Sequence, residues 1–341
     1  MRFLFLGAGA IGTYIGGSLV IAGHDVSFVE QPATATAIAQ QGLTIETSSA
    51  RQVVRGFGMH TDPAEALDAG PYDVCVFALK SFDTVSVLED WQSLGRPLPT
   101  ILSVQNGVDN EPAIAARLGA DRVIAGTVAT AIAKPGLGHV VEETHRGIGI
   151  ALGNSLSEEV ITALNDAGLG ARGYADAGSM KWSKLLTNLQ GSATSAILDM
   201  PVGEVFADRR LHALETEAMR ECVRVMRALG HRPVDLPGTP VRALAFAVEH
   251  LPRTLTQPIF VRLLGGSRGD KMPSLHIDLH AGRRRSEVGF LHGAVVRHGA
   301  TVGVPTPVNA LLTDTLEALT DGREDIATFR HHPEALLLRL R

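Results

Sequence analysis

Cysteine, aromatic residues and net charge are all scarce in this sequence. The 341 residues include two cysteines, Cys75 and Cys222, which lie far apart, so a disulfide framework and a cysteine-rich zinc site are excluded. Aromatic residues make up 5% of the chain, which is too few for the stacking platforms that bind single-stranded nucleic acid. A formal net charge of −5 gives no broad basic surface for DNA. We therefore expect a cytoplasmic protein without a nucleic-acid partner.

Familiar metal and hydrolase motifs are lacking as well. The 13 histidines show no H-E-x-x-H or other ligand spacing, so we predict no metal site. The sequence also contains no G-x-S-x-G and no Walker-type loop.

Charge is absent from one long segment near the N-terminus. No Asp, Glu, Lys or Arg occurs from Phe3 to Gly23, a pattern that a membrane helix or a signal peptide would share. Six glycines interrupt this segment, however, and Asp25 and Glu30 follow it at once. We therefore interpret it as a strand and a helix packed inside a core, and we expect no membrane partner.

The hydrophobic pattern of the first half is typical of a parallel sheet covered by helices, because short apolar runs alternate with helical stretches. The predicted strands are Arg2–Leu6, Asp25–Val29, Leu43–Glu46, Asp73–Ala78, Thr100–Val104, Arg122–Thr127 and Gly147–Ala151. The predicted helices between them are Ile11–Ala22, Ala64–Ala69 and Thr84–Leu94. Residues 136–150 suggest an antiparallel hairpin at one edge of the sheet.

The pattern becomes helical after about residue 175. The predicted helices of this half are Ser179–Leu198, Leu211–Leu229, Thr239–His250, Arg285–His298 and Val308–Leu319. We therefore predict an α/β domain over residues 1–175 and an all-α domain over residues 176–341. The helical domain offers apolar faces for a possible homodimer, although one sequence does not determine the oligomeric state.

A glycine-rich motif follows the first predicted strand and opens the first predicted helix. It consists of Gly7, Ala8, Gly9, Ala10, Ile11 and Gly12, in the pattern G-x-G-x-x-G. In this context the motif predicts a dinucleotide site, with the pyrophosphate at the helix N-terminus. Gly7 permits the tight turn, Gly9 lets the cofactor approach the backbone, and Gly12 allows close packing of helix on strand.

The end of the second predicted strand bears on the choice of cofactor. Glu30 lies 18 residues after Gly12, where an acidic residue accepts hydrogen bonds from the adenosine ribose. A carboxylate there repels a 2′-phosphate, and after Gln31 no Arg or Lys follows until Arg51. These residues favour NADH over NADPH.

Polar residues also follow the fourth and fifth predicted strands. Lys80 ends the run after Asp73–Ala78, and Asn106 comes just after Thr100–Val104. Because ligands bind beyond the carboxyl ends of strands in such sheets, we expect both residues near a ligand.

The second half contains one marked polar stripe. Lys184, Asn188 and Ser192 are spaced four residues apart, so on a single helix they would share one face. The spacing alone leaves two readings open, a solvated face or the lining of a cleft. Further on, Ser274 and Asp278 are again four apart, and Glu287 is expected in the first turn of a helix that Ser286 could cap.

In their order and spacing, these motifs resemble the ketopantoate reductase (2-dehydropantoate 2-reductase) family nearly end to end. The resemblance rests on residues 7–12, 79–84, 105–108, 182–188, 273–278, and on Glu287 with residues 303–309. It implies an N-terminal Rossmann-type NAD(P)-binding domain and a C-terminal all-helical domain similar to that of 6-phosphogluconate dehydrogenase. It also implies an active site in the cleft between them, where the C2 ketone of 2-dehydropantoate is reduced to (R)-pantoate, a step toward pantothenate.

The resemblance implies roles for individual residues. Lys184 resembles the general acid, and Glu287 resembles the carboxylate that orients the substrate and the lysine. Asn106, Asn188 and Ser274 resemble substrate-positioning groups, with Ser192 as a further substrate contact, and Lys80 resembles a lysine near cofactor and substrate.

The chain departs from the family pattern at several places. Ser192 is followed by alanine where the family commonly has Asn and Pro, and Glu30 precedes Gln31 where it often has an Arg that holds the NADPH 2′-phosphate. One extra residue falls within residues 283–285, and further extra length is placed within residues 236–270. A reductase of another small 2-oxo acid is therefore an alternative. A non-catalytic dinucleotide sensor is a second alternative, although it would not need both Lys184 and Glu287.

Overall fold

The computed structural model describes residues 1–268 and 272–340, in two compact units. The first unit contains residues 1–181 and 236–239, and the second contains residues 182–235 and 240–341. Gly269 and Asp270, at the end of the region with extra length, lie outside the described residues. The domain boundary near residue 175 stays a prediction.

The strands all belong to the first unit among the described residues. They are β1 (Arg2–Leu6), β2 (Asp25–Val29), β3 (Leu43–Glu46), β4 (Arg51–Val54), β5 (Gly58–His60), β6 (Val74–Phe77), β7 (Thr100–Ser103), β8 (Val123–Val128), β9 (Ala131–Gly136), β10 (His139–Thr144), β11 (Ile148–Ala151) and β12 (Ala171–Tyr174). Each of the seven predicted strands is present within one residue at either end. Such accuracy follows from burial, since β1 and β6 are buried along nearly their whole length and read as unbroken apolar runs.

Six helices accompany these strands. They are α1 (Ala10–Ile21), α2 (Pro32–Gln41), α3 (Pro63–Asp68), α4 (Thr84–Ser93), α5 (Asn110–Leu118) and α6 (Ser157–Asp166). The segment without charge forms β1 and α1, and most of its residues are buried, as the sequence analysis predicts. Within the described residues, no helix is both long enough and apolar enough to span a membrane.

The main sheet has eight strands in the order β12-β11-β8-β7-β6-β1-β2-β5. All neighbouring pairs are parallel except β8 with β11. From β5 to β8 the sheet follows the Rossmann order, in which the direction of winding reverses next to β1. The carboxyl ends of β1 and β6 therefore flank the point where such sheets bind ligands.

A second sheet corrects the prediction of a hairpin over residues 136–150. The hairpin consists of β9 and β10, and it begins earlier, at Ala131. It does not lie at the edge of the main sheet but belongs to a separate sheet of order β4-β3-β10-β9. The reason is a long-range parallel pairing of β10 with β3, which no local pattern reveals.

The remaining helices follow β12. They are α7 (Ala177–Leu189), α8 (Ser192–Leu198), α9 (Val202–Ala207), α10 (Arg209–Ala228), α11 (Val241–His250), α12 (Arg253–Arg268), α13 (Ser274–His280), α14 (His292–Thr301), α15 (Pro307–Thr320) and α16 (Pro333–Leu337).

Two helical predictions are wrong. The predicted helix over residues 179–198 is broken into α7 and α8 at Gly191, whose φ of +67° lies in the left-handed region. The predicted helix over residues 285–298 is also divided, since a short 3₁₀ turn at Val288–Phe290 precedes α14. Glu287 therefore stands before this turn rather than in the first turn of α14.

Candidate functional site

The glycine motif forms a tight turn between β1 and α1. The N–H of Gly7 donates to the Val29 carbonyl over 3.0 Å, with a φ of +91° that favours glycine. A Cβ on Gly12 would lie 2.0 Å from the carbonyl oxygen of Gly7, which no side chain can tolerate. A Cβ on Gly9 would meet nothing within 4 Å. The turn is thus closed on its protein side and open at Gly9, as the approach of a pyrophosphate requires.

The other residues of the motif complete the start of α1. Gly9 is its N-cap, so the N–H groups of Ala10 and Ile11 have no partner within the helix. Ala8 is fully buried, and its carbonyl accepts the Thr13 hydroxyl over 3.0 Å. This helix end carries the partial positive charge that attracts phosphate.

Glu30 connects β2 to the glycine turn. One carboxylate oxygen accepts the N–H of Ala8 and the other accepts the N–H of Gln31, each over 2.8 Å. Both contacts hold the carboxylate beside the turn. Each oxygen retains a lone pair, so the same group can still accept a ribose hydroxyl.

A cavity of about 330 Å³ opens beside this carboxylate. It is lined by residues from the ends of β1 and β2 and from α4, among them Gly7, Glu30, Gln31, Asp90 and Trp91. These lining residues, all within the described part of the chain, include two carboxylates and no Lys or Arg. The cavity is thus chemically suited to an uncharged ribose and base.

Lys80 and Asn106 stand at neighbouring strand ends, after β6 and β7. Their loops are joined by hydrogen bonds, since the Ser81 hydroxyl donates to the Asn106 carbonyl over 2.8 Å. Asn110 donates to the same carbonyl over 2.7 Å, and Gln105 donates to the Leu79 carbonyl over 3.2 Å. Lys80 is half-buried and Asn106 is exposed, so both loops have side chains that a ligand could reach.

Sequence reasoning missed the buried groups that hold these loops. Lys181 is 4% exposed, and its Nζ donates to the Gln105 carbonyl over 2.6 Å. The same Nζ lies 2.8 Å from a carboxylate oxygen of Glu111. The side chains of Gln105 and Asn110 are linked through the Thr84 hydroxyl. The only available signal was indirect, since polar residues cluster in the sequence after each strand.

Lys184 and Asn188 lie four residues apart on α7 and are half-buried, while Leu185 and Leu189 on its other side are fully buried. Ser192 does not continue their stripe, because the chain turns at Gly191 and Ser192 becomes the first residue of α8. The prediction that all three share the face of one helix is therefore wrong for Ser192.

The turn at Gly191 is held by a buried acid on α10. Glu215 accepts the Gly191 N–H over 2.7 Å and also accepts the hydroxyl of Thr194 over 2.5 Å. Burial raises the pKa of Glu215 to about 7, against the lowering effect of these two hydrogen bonds. Glu215 and Gly191 are 24 residues apart in the sequence, so no local pattern could predict their contact.

Ser192 joins a second buried network. Its Oγ lies 3.4 Å from Nε2 of His292, and Nδ1 of that ring lies 2.9 Å from Oδ1 of Asn309. Asn309 donates through Nδ2 to Glu221, so its Oδ1 accepts from His292, and Nε2 is left to accept the Ser192 hydroxyl. Burial lowers the pKa of His292 to about 4, which keeps the ring neutral.

Ser274 and Asp278 lie on α13 with the predicted spacing. Ser274 is exposed at its first residue, whereas Asp278 is buried and pairs with Arg283 over 2.9 Å. Glu287 is 5% exposed, and the hydroxyl of Ser286 accepts the N–H of Val288, but Ser286 caps no helix, because Glu287 itself directly precedes the 3₁₀ turn. The second unit thus contains Lys184, Asn188, Ser192, Ser274 and Glu287, and the first contains the glycine turn, Glu30, Gln31, Lys80 and Asn106.

The sheet order and the glycine turn define a Rossmann-type dinucleotide-binding protein with an additional helical unit. Two sequence models of one family match this chain. The model of ketopantoate reductase PanE/ApbA matches residues 3–154, and the model of the PanE/ApbA C-terminal region matches residues 176–320. The chain belongs to the ketopantoate reductase family, whose named members are oxidoreductases.

Individual relatives agree over nearly the full length. The 2-dehydropantoate 2-reductase of Pyrococcus horikoshii is 27% identical over 326 residues, which cover 93% of this chain and 97% of the relative. The structure of a PanE/ApbA family ketopantoate reductase from Ralstonia eutropha is 28% identical with a TM-score of 0.80, over 95% of this chain and all of that one.

A more distant structural neighbour shares the fold. D-mandelate dehydrogenase in a ternary structure with NADH and anilino(oxo)acetate is 20% identical with a TM-score of 0.75. The match covers 94% of this chain and 99% of that one.

Two glycine substitutions separate packing from ligand approach. Gly12→Ala places a Cβ against the Gly7 carbonyl and should lower the free energy of unfolding by about 3 kcal/mol. In Gly9→Ala the added Cβ faces open space, so the thermal midpoint should match that of the wild type. The same Cβ obstructs the approach of the pyrophosphate, so the affinity for NADH should fall by about tenfold or more. Thermal unfolding and fluorescence titration measure the two effects. Equal loss of stability in both variants would contradict this account of the turn.

Glu215→Gln tests the buried acid. Between pH 4.5 and 7 the folded state retains a proton that the unfolded state releases, so the wild type loses stability as the pH rises through this window. Glutamine stays neutral at every pH. The free energy of unfolding of the variant minus that of the wild type should therefore rise by up to about 3 kcal/mol between pH 5 and pH 8.

Thermal unfolding at both pH values measures this difference. Glu217→Gln, on the more exposed side of α10, is the matched control and should not reproduce the trend. A difference between Glu215→Gln and wild type that is the same at both pH values would exclude the titration of Glu215.

Proposed function

We propose that the protein is a cytoplasmic enzyme that reduces the C2 ketone of 2-dehydropantoate to (R)-pantoate with a nicotinamide cofactor. The observation that carries this proposal is the match of both family models, which together cover the glycine turn and the helix with Lys184. Relatives named 2-dehydropantoate 2-reductase support the substrate at 24–29% identity. Both cysteines are free and buried, which suits a reducing compartment.

The chemistry assigned to the side chains is acid catalysis. The bound cofactor supplies a hydride to the ketone carbon. As that bond forms, negative charge develops on the ketone oxygen, and the Lys184 ammonium is proposed to donate the proton that completes the alcohol. Glu287 is proposed to orient Lys184 and the substrate. Since Glu287 is buried, its carboxylate would act in surroundings that strengthen electrostatic interactions.

The remaining predicted residues are proposed to position the reactants. Asn106, Asn188, Ser192 and Ser274 would contact the substrate. Lys80 would lie near both substrate and cofactor.

We further propose NADH as the preferred cofactor. Glu30 is held beside the glycine turn by two N–H groups, and the adjacent cavity is lined by a second carboxylate, Asp90. A 2′-phosphate would bring about two negative charges against these groups without a cation in the cavity lining to offset them.

A different small 2-oxo acid is the second candidate substrate. The specific observation is Ser192, whose hydroxyl is shorter than the family's usual amide and already contacts His292. Such a site would position one substrate group differently.

A panel of initial rates tests substrate and cofactor together. We expect the highest kcat/KM with 2-dehydropantoate among simple 2-oxo acids, and a higher value with NADH than with NADPH. Activity confined to another oxo acid would support the second candidate. Absence of cofactor oxidation with every substrate would instead support a dinucleotide sensor.

Gln31→Arg is the companion variant for the cofactor. Gln31 is exposed and contacts Glu30 through its backbone N–H, so its side chain can be replaced without loss of that bond. An added guanidinium should raise kcat/KM for NADPH by about tenfold, through an ion pair with the 2′-phosphate. A wild-type preference for NADPH would overturn the assignment of Glu30.

Lys184→Ala tests the general acid. We expect kcat/KM to fall by about 10² to 10⁴-fold while NADH affinity is retained, because the lysine acts on the substrate oxygen. Lys134→Ala removes an exposed lysine on β9 and is the matched control. Turnover close to wild type in Lys184→Ala would remove the lysine from the mechanism.

A further inference from the structure

Two histidines and an aspartate meet at the junction of α8 and α13, and none of the three has a role in the proposed reaction. His276 and His280 lie one turn apart on α13, and Asp199 is the C-cap of α8. The His276 Nε2 is 2.6 Å from Oδ1 of Asp199, and the His280 Nε2 is 3.8 Å from the same oxygen. Each of the three residues offers one potential metal-ligand atom, and these three atoms all lie within 4.8 Å of one another. The expectation that the histidines show no ligand spacing is wrong here.

The two imidazoles are arranged as a pair. Their ring centroids are 4.0 Å apart with an interplanar angle of 23°. Two imidazolium ions at this separation would repel each other. Burial lowers the pKa of His276, and the charge of His280 lowers it further. A metal ion binds a ring nitrogen that carries no proton, so the Nε2 protons that His276 donates to Asp199 and His280 donates to the Ala196 carbonyl would move to Nδ1 or leave when an ion binds.

Asp199 is held as a carboxylate with one oxygen available. The hydrogen bond from His276, together with Arg330, lowers the pKa of Asp199 to about 2. Arg330 approaches Oδ2 through two nitrogens at 2.6 and 2.7 Å, and Oδ1 is directed toward both histidines. Hydrogen bonding of the outer oxygen in this way fixes the orientation of a carboxylate ligand.

The spacing of these atoms is close to that of a metal site. Ligands about 2.0–2.2 Å from a tetrahedral ion lie roughly 3.3–3.6 Å from one another. The 2.6 Å contact would have to lengthen and the 3.8 Å contact to shorten, each by less than about 1 Å. Rotation of the His276 and His280 rings can supply both shifts. The His280 ring would then give up its 3.2 Å contact with the Ala196 carbonyl for the contact with the ion.

We propose that Asp199, His276 and His280 form a binding site for a divalent transition metal ion, and Zn²⁺ is the ion with which we define it. Two imidazole nitrogens select against Mg²⁺ and Ca²⁺, which prefer oxygen ligands. Three protein ligands leave a fourth position for water, and the ligand side chains are 12–20% exposed, so that solvent can reach them. The ion would cross-link α8 to α13 and stabilise the helical unit.

Metal binding to the full chain tests this site. Chelator-treated protein is titrated with Zn²⁺ by calorimetry and with Co²⁺ by visible absorption, which reports coordination by nitrogen and oxygen without reference to activity. We expect one ion per chain and a rise of about 5 °C in the thermal midpoint at a hundredfold excess of Zn²⁺ over its Kd. His276→Ala and His280→Ala should each weaken Zn²⁺ binding by about 100-fold or more.

Matched variants make the result decisive. His250→Ala removes an exposed histidine at the end of α11 and should bind Zn²⁺ like the wild type. If either alanine variant fails to fold, His276→Gln and His280→Gln retain a polar side chain and take its place. No measurable binding by the wild type overturns the proposal. Binding that survives unchanged in the variant lacking both His276 and His280 overturns it as well, since the ion would then be held elsewhere.

Discussion

The close contact between α1 and the glycine turn is the constraint on which the dinucleotide unit depends. With the Gly7 carbonyl 2.0 Å from the position of a Cβ on Gly12, α1 can start where it does only if that residue is glycine. The start of α1 in turn sets the direction of its unpaired N–H groups and brings the Ala8 N–H within reach of Glu30. The direction of the helix N-terminus and the position of the Glu30 carboxylate thus both follow from one steric fit.

Much of this unit could be predicted because its signals are local. Buried parallel strands are continuous apolar runs, so their bounds can be read from composition. Lys80 and Asn106 could be placed at the same edge of the sheet because the carboxyl ends of neighbouring parallel strands meet there. The bonds that hold their loops could not be predicted, since those of Ser81 and Gln105 span 21–26 residues and have no period in the sequence.

The helical unit shows where local pattern is insufficient. The apolar spacing of Leu185 and Leu189 on α7 continues at Ala193, Ala196 and Ile197, and nothing in that spacing requires a break. The break occurs because Gly191 adopts a left-handed conformation that Glu215, on another helix, stabilises through the Gly191 N–H. A tertiary contact thus adds to the poor helix propensity of glycine, and together they end α7 at this point.

Two buried acids on α10 act on helix ends. Glu221 accepts the N–H groups of Val308 and Asn309, at the start of α15, as Glu215 accepts that of Gly191 before α8. A carboxylate at a helix N-terminus satisfies donors that have no partner within the helix and interacts favourably with the helix dipole. Such contacts offset only part of the cost of burying the charge, since burial raises the pKa of both acids, but they fix where each helix begins.

Contacts of an acidic side chain hold helix α8 at each of its ends. Seven residues are too few for a helix that is stable alone, so its position comes from Glu215 at its start and from the contacts of Asp199 at its end. Ser192, its first residue, is therefore placed by groups other than its own side chain. The Ser192 hydroxyl adds only contacts of 3.4 Å, with His292 and with the Leu189 carbonyl, to this frame. Under the proposed function, in which Ser192 contacts the substrate, a change of this side chain would therefore alter substrate preference more than the position of α8.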